Sequence, residues 1–298
     1  MQTTWASPDP ALVQAVTQHL EDCLGVYRSD SNRIAEDVGK ERGIAEGGYG
    51  RKQVQELIQN AADALLHEPG RIEVVLTDSV LYVANEGAAF TRKGLRGLLY
   101  THLATKTGNE IGRFGLGFKS VSGITDGPQV FSTSVSFEFN RERTLETLKT
   151  ELEFSGSLAD VPALRLAWPI DAAAGMGHDR VMANLNWATT VVRLPLKPGA
   201  ASGLSQELQE FDESICLFAP HVRELVLDDR TTDTRRMFQA KSRGKTVSVT
   251  TDQGTTDWVV VRRQHRPSQA ALDSAGISAS RESVTVSWAV PPTAKLGR

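Results

Sequence analysis

The sequence predicts an α+β fold. Periodic helical segments and short apolar strands follow one another without a regular βαβ rhythm, which argues against a doubly wound parallel sheet. Residues 71–87, "RIEVVLTDSVLYVANEG", set two apolar runs around Thr77-Asp78-Ser79 and read as a β-hairpin. Residues 51–67, "RKQVQELIQNAADALLH", form the clearest helix in the chain, and Pro69-Gly70 ends it.

In chain order, residues 8–25 read as an N-terminal helix, with Pro8 and Pro10 near its start and Leu12, Val16, Leu20 and Leu24 on one stripe. Residues 26–50 are polar, close on a glycine-rich stretch and read as a flexible segment. A short helix is expected at 91–100, and "THLATKTGNE" at 101–110 reads as a loop. "IGRFGLGFKS" at 111–120 then leads into a helix near Phe118. Phe131, Val135, Phe137 and Phe139 alternate with mostly polar neighbours, as in a half-buried strand. A helix at 141–152 and strands at 161–168 and 188–196 follow. The composition shifts after Pro198-Gly199, which separates a first domain at 1–200 from a smaller α+β unit at 201–298. That unit holds a helix near 204–217 and strands near 223–228, 245–250, 257–263 and 283–290.

The composition excludes several classes. The chain has 298 residues, 40% of them apolar and 23% charged, with a net charge of −3. That is an ordinary globular balance with no broad basic field for nucleic acid. No apolar run is long enough to span a membrane, and the N-terminus has neither the basic start nor the apolar run of a signal peptide. Cys23 and Cys216 form no metal-ligand spacing. A reduced cytoplasmic protein is a simpler reading than a disulfide between them.

Chemistry concentrates in two places. On helix 51–67, Val54, Leu57, Ile58, Ala61 and Leu65 share one side, while Glu56, Asn60 and Asp63 form a polar stripe at i, i+4 and i+7. The stripe reads either as a solvated face or as a carboxylate and an amide aimed into one pocket. A carboxylate can orient and deprotonate water; an amide oxygen suits Mg²⁺. The second place is the glycine-rich run. Phe118 separates Gly117 from Lys119, so the phosphate-loop pattern is broken, and Ser120 stands where a dinucleotide fingerprint needs its third glycine. A glycine-rich run opening a helix still suits the close approach of an anion.

The order of motifs resembles the GHKL, or Bergerat-fold, ATPases, in the sacsin-like and heat-shock-chaperone-like branch. The first family element, Glu-x-x-x-Asn followed by Asp, is matched by Glu56, Asn60 and Asp63. The second, usually Asp-x-Gly-x-Gly, stands here as Asn85, Gly87 and Ala89, followed by Phe90-Thr91. The third, close to G-x-F-G-x-G-F, is matched by Gly112, Phe114, Gly115, Gly117 and Phe118. The fourth, a Thr opening a late strand, is matched by Thr190, Val192 and Leu194. The resemblance covers roughly residues 45–197.

This resemblance implies a Bergerat-type sandwich, a mixed sheet with helices on one face and ATP held on the helix side. Glu56 would activate water, and Asn60 would hold Mg²⁺. The backbone N–H groups of Gly115, Leu116, Gly117 and Phe118 would cradle phosphates. Asn85 would accept from the adenine amino group in place of the family's Asp. In the family the loop after the second element is a lid, where Lys106 would face either phosphate or solvent; Lys119 reads as solvated. The expected activity is Mg²⁺-dependent ATP hydrolysis driving a conformational change or nucleotide-dependent dimerisation, with 201–298 beginning a transducing region. The rival is a nucleotide-gated interaction module with negligible turnover. A histidine kinase is a weaker alternative, because "QHLED" around His19 lacks the kinases' following Arg-Thr-Pro pattern, and His19 reads as a surface residue.

Overall fold

The described strands form one sheet. The computed structural model describes residues 5–46, 52–100, 118–173, 179–270 and 284–291. The strands are β1 (Gly70–Leu76), β2 (Val80–Asn85), β3 (Gln129–Ser132), β4 (Phe137–Phe139), β5 (Ala167–Pro169), β6 (Thr190–Pro195), β7 (Val222–Asp229), β8 (Thr234–Arg243), β9 (Thr246–Thr251), β10 (Gly254–His265) and β11 (Val284–Val290). They order as β11-β10-β9-β8-β7-β1-β2-β6-β3-β4-β5. Among the described residues β1 and β7 pair in parallel and the other neighbours pair antiparallel, so the sheet is mixed and the class is α+β. The helices are α1 (Pro10–Ser29), α2 (Asn32–Glu46), α3 (Gln53–Ala64), α4 (Arg92–Leu99), α5 (Arg141–Leu152), α6 (Arg180–Asn184), α7 (Ala200–Glu210) and α8 (Ser214–Phe218). None of the described helices is long and apolar enough to cross a membrane.

Period-two alternation assigns each strand residue to a face. Ile72, Val74 and Leu76 of β1, Leu81 and Val83 of β2 and Leu194 of β6 pack with Val54, Leu57, Ile58 and Ala61 of α3, Leu95 of α4 and Leu204 of α7. The opposite face is covered as well, unlike the one-sided cover expected. Val75, Tyr82, Ala84, Phe131 and Val191 are apolar on that side, and Trp5, Ala172, Val181, Met182 and Leu185 close over them. Burying side chains of this size stabilises by about 1.5–3 kcal/mol each, which is why the second face does not stay bare.

Other differences have local causes. Residues 32–46, expected to be flexible, form α2, braced by Arg33–Glu36 at 2.7 Å and Lys40–Asp37 at 3.3 Å and by burial of Ile34. α1 runs on to Ser29 because His19, Cys23 and Tyr27 add a second buried row to the predicted stripe. The expected strand across Phe131–Phe139 is a hairpin, in which Val130 pairs with Phe137; Phe131 therefore lies on the opposite face from Phe137 and Phe139. The helix expected near 204–217 is two, with the Asp212 carboxylate accepting from the Ser214 N–H at 2.9 Å where the second begins. β8 was not predicted, since "TRRMFQAKSR" carries four basic residues in ten and buries only Phe238 fully.

Candidate functional site

α3 lies along the sheet with its apolar side buried, and Glu56, Asn60 and Asp63 half-buried beside it. The loop after β2 closes against its C-terminal end. The Ala88 N–H donates to the Ala64 carbonyl at 2.9 Å. Gly87 has a φ of 87°, and a Cβ there would press into that same carbonyl oxygen. Gly87 is therefore required by backbone conformation and by close approach to α3.

Beside this loop a polar row crosses the sheet. Asn85 ends β2, and Thr190, opening β6, is its direct partner in register. Ser132, ending β3, is the partner of Thr190 on the other side. All three are buried, with exposures of 4%, 6% and 0%. Alternation puts them on the face that α3 covers, where Leu81, Val83 and Leu194 also point. The Ser132 and Thr190 hydroxyls hydrogen-bond at 2.9 Å. The Asn85 Nδ2 donates to the Glu86 carbonyl at 2.6 Å. That bond uses one of the amide's two donor hydrogens and fixes the side on which Oδ1, its acceptor, lies. The three groups thus have partners within the chain, and the row places hydroxyl and amide chemistry on an otherwise apolar face.

Of two other expected residues, Phe90 is partly buried and packs against the core, and Phe118 lies within it. The Phe90 ring meets Phe137 edge-on at 6.3 Å, and Thr91 caps α4 by accepting from the Gly94 N–H at 3.2 Å. Phe118 is buried against Phe139, with ring centroids 6.2 Å apart, and begins a 3-10 turn, Phe118–Gly123, instead of an α-helix. Lys106, Gly112, Gly115, Leu116 and Gly117 lie outside the described residues.

The sequence reading missed a buried ionic cluster directly after Phe118. Lys119, expected in solvent, is 2% exposed; its Nζ donates to the Leu164 carbonyl at 2.9 Å and lies 5.1 Å from the Phe139 ring centroid. Glu41 of α2 grips the same residue from the other side, its carboxylate accepting from the Ala163 and Leu164 N–H groups at 2.7 and 2.8 Å. Burial pushes the Lys119 ammonium down to about 8, opposed by the nearby Glu41 charge, and raises the Glu41 carboxyl above its usual range. His19 is buried too, not on the surface: Nε2 donates to the Arg165 carbonyl at 3.0 Å, and burial lowers the imidazole to about 4. Asp37 completes the cluster, accepting from the Tyr27 hydroxyl at 2.9 Å and facing Arg165 at 3.3 Å. Burial raises the Cys23 thiol to about 11, which disfavours the thiolate. The only sequence signal for this cluster was a lysine set among apolar residues.

No family model matches the chain. A stretch of 91 residues, 29% of this chain, is 32% identical to Protein NO VEIN of Arabidopsis thaliana. The match spans 3% of that protein's length.

Proposed function

We propose that this chain is a Mg²⁺-dependent ATPase of the GHKL type. The observation that carries the reading is the meeting of two separated motifs. Asn85 and Thr190 are paired across neighbouring strands, and the face they occupy is the one covered by the helix that bears Glu56, Asn60 and Asp63. A purine edge needs an acceptor for its amino group and hydroxyl partners beside it, and Asn85, Thr190 and Ser132 supply both. The donor set also fits the ion, since an amide oxygen such as that of Asn60 is a hard ligand. When bound, Mg·ATP would contribute the reactive phosphoanhydride. Glu56 would orient and deprotonate the attacking water, Asn60 would hold the cation, and Asn85 and Thr190 would hold the base. The glycine-rich residues 112–118 are assigned to the phosphates on their motif alone.

Titration of the purified chain with ADP and ATP by calorimetry, followed by phosphate release with Mg·ATP, tests this. Saturable nucleotide binding with Mg²⁺-dependent phosphate release supports it. Absence of binding at millimolar nucleotide overturns it, and binding without turnover leaves a nucleotide-gated interaction module instead.

A further inference from the structure

The helix that carries Glu56 does not cap itself. Lys52 occupies its N-cap position and makes no side-chain hydrogen bond to the first turn, although the opening N–H groups of a helix need acceptors. The acceptor comes from α7. The Glu207 Oε1 accepts from the Gln55 N–H at 2.9 Å, across 152 residues of sequence. Burial raises the Glu207 carboxyl above its ordinary range, while hydrogen bonds from the Gln55, Val54 and Gln53 N–H groups pull it back. A carboxylate at this end also faces the positive pole of the helix.

α7 is in turn fixed to the far arm of the sheet. Its Ser205 hydroxyl donates to Asp229 of β7 at 2.5 Å. Arg236 of β8 donates to the Phe211 carbonyl at 3.0 Å and to the Leu208 carbonyl at the C-terminal end of α7. At the other end of α3, the His221 imidazole lies by the Ala62 backbone and the Asp63 carboxylate. Both ends of α3 are thus held by residues after 199.

We propose that Glu207 is a positioning residue, making the placement of Glu56 depend on the placement of α7 and the strands behind it. This inference rests on the ATPase reading above. Glu56 belongs to the first hydrogen-bonded turn, its N–H donating to the Lys52 carbonyl at 3.0 Å. Asn60 and Asp63 lie one and two turns further along. Loosening the first turn therefore moves the water-activating carboxylate and leaves the ligand-holding residues in place.

The test uses the whole chain and three readouts: phosphate release at saturating Mg·ATP, ADP affinity and stoichiometry by calorimetry, and hydrogen exchange of the Gln53–Glu56 amides. Glu207→Ala is expected to lower kcat about 10- to 100-fold, the scale set by misplacing a catalytic group by an ångström or less. ADP affinity stays within about threefold, because most ligand-holding groups lie beyond the first turn. Exchange at Gln55 accelerates. Glu207→Gln, which keeps an acceptor oxygen, restores most of kcat. Glu207→Asp withdraws the acceptor by one methylene and serves if Glu207→Ala does not fold; it should lose kcat several-fold with ADP affinity unchanged. Parental kcat in Glu207→Ala and Glu207→Asp overturns the proposal, as does a loss of kcat that merely follows the loss of ADP stoichiometry. A parent chain that releases no phosphate overturns the ATPase reading and this proposal with it, whereas an active parent matched by its variants overturns this proposal alone.

Discussion

Asn85 and Thr190 face each other across β2 and β6, and the Asn85 amide donates to the carbonyl of its own neighbour, Glu86. One of the two Nδ2 hydrogens is thereby used within the chain, which fixes Oδ1 on the other side of the amide.

This orientation predicts the choice of base. ADP should bind more tightly than GDP, because the Asn85 Oδ1 accepts from an amino group but repels a carbonyl. Asn85→Ala should cost about 1–3 kcal/mol of ADP affinity, or roughly 5- to 150-fold. Asn85→Asp, which offers only acceptors, should preserve ADP binding. Competition binding with both nucleotides decides it, and equal affinities would remove Asn85 from base reading.

Glu56 and Asn60 should separate cleanly in function. Glu56→Ala should lower phosphate release by about 10²–10⁴-fold with ADP affinity nearly intact, since general-base catalysis is not needed for binding. Asn60→Ala should weaken Mg·ATP more than metal-free ATP. Calorimetry with and without Mg²⁺ measures the second effect, and a Glu56→Ala variant as fast as the parent would make Glu56 an ordinary surface residue.

Lys119 and Glu41 should be energetically coupled, because both hold Leu164, one by its carbonyl and one by its N–H. Lys119→Met should destabilise by about 3 kcal/mol, since it leaves the buried Glu41 charge without its cation. Adding Glu41→Gln should cost less than the sum of the single changes by about 1 kcal/mol or more. Urea unfolding of the four proteins in the cycle gives the coupling, and strict additivity would mean the two groups act independently.

His19 should give the fold an acid-sensitive slope. Burial is the main cause of its lowered value of about 4, with the Arg165 and Lys119 charges adding and the Arg165 carbonyl and Asp22 opposing. The unfolded imidazole titrates near 6.5, so the native state binds fewer protons between the two values. Its contribution is complete above pH 6.5 and is lost as pH falls towards 4, by up to about 3 kcal/mol. Glu41 works in the opposite sense, since its raised carboxyl favours the fold as pH falls. Unfolding curves at about pH 7 and about pH 5 should therefore differ less for His19→Gln than for the parent, by about 1–2 kcal/mol. Parallel curves would assign the slope to other groups.

What was legible in the sequence followed from strong local pattern. The stripe of α3, the β1–β2 hairpin and α5 each carry a period that only one local structure satisfies. α2 was not legible, because its fifteen residues present one fully buried apolar side chain and its place depends on Glu41 reaching Ala163 and Leu164. His19 and Lys119 look like surface residues for the same reason: their partners, Arg165 and Leu164, lie far along the chain. At the candidate site, motif order showed which residues to compare, but not that Asn85, Thr190 and Ser132 form one row. That is a fact of strand register, which spacing cannot supply. The capping of α3 by Glu207 is equally invisible locally, since a glutamate on a polar helix face is ordinary.

The parallel pairing of β1 with β7 has a consequence for synthesis. β1 is almost wholly buried, yet its neighbour on one side begins at Val222, some 150 residues later in the chain. At translation rates of about 5–20 residues per second, the apolar edge of β1 waits roughly ten to thirty seconds for its partner. Until then it is an open template for strands of other chains. Fragments cut near residue 200 should therefore aggregate more readily than the full chain, which light scattering of the two would measure.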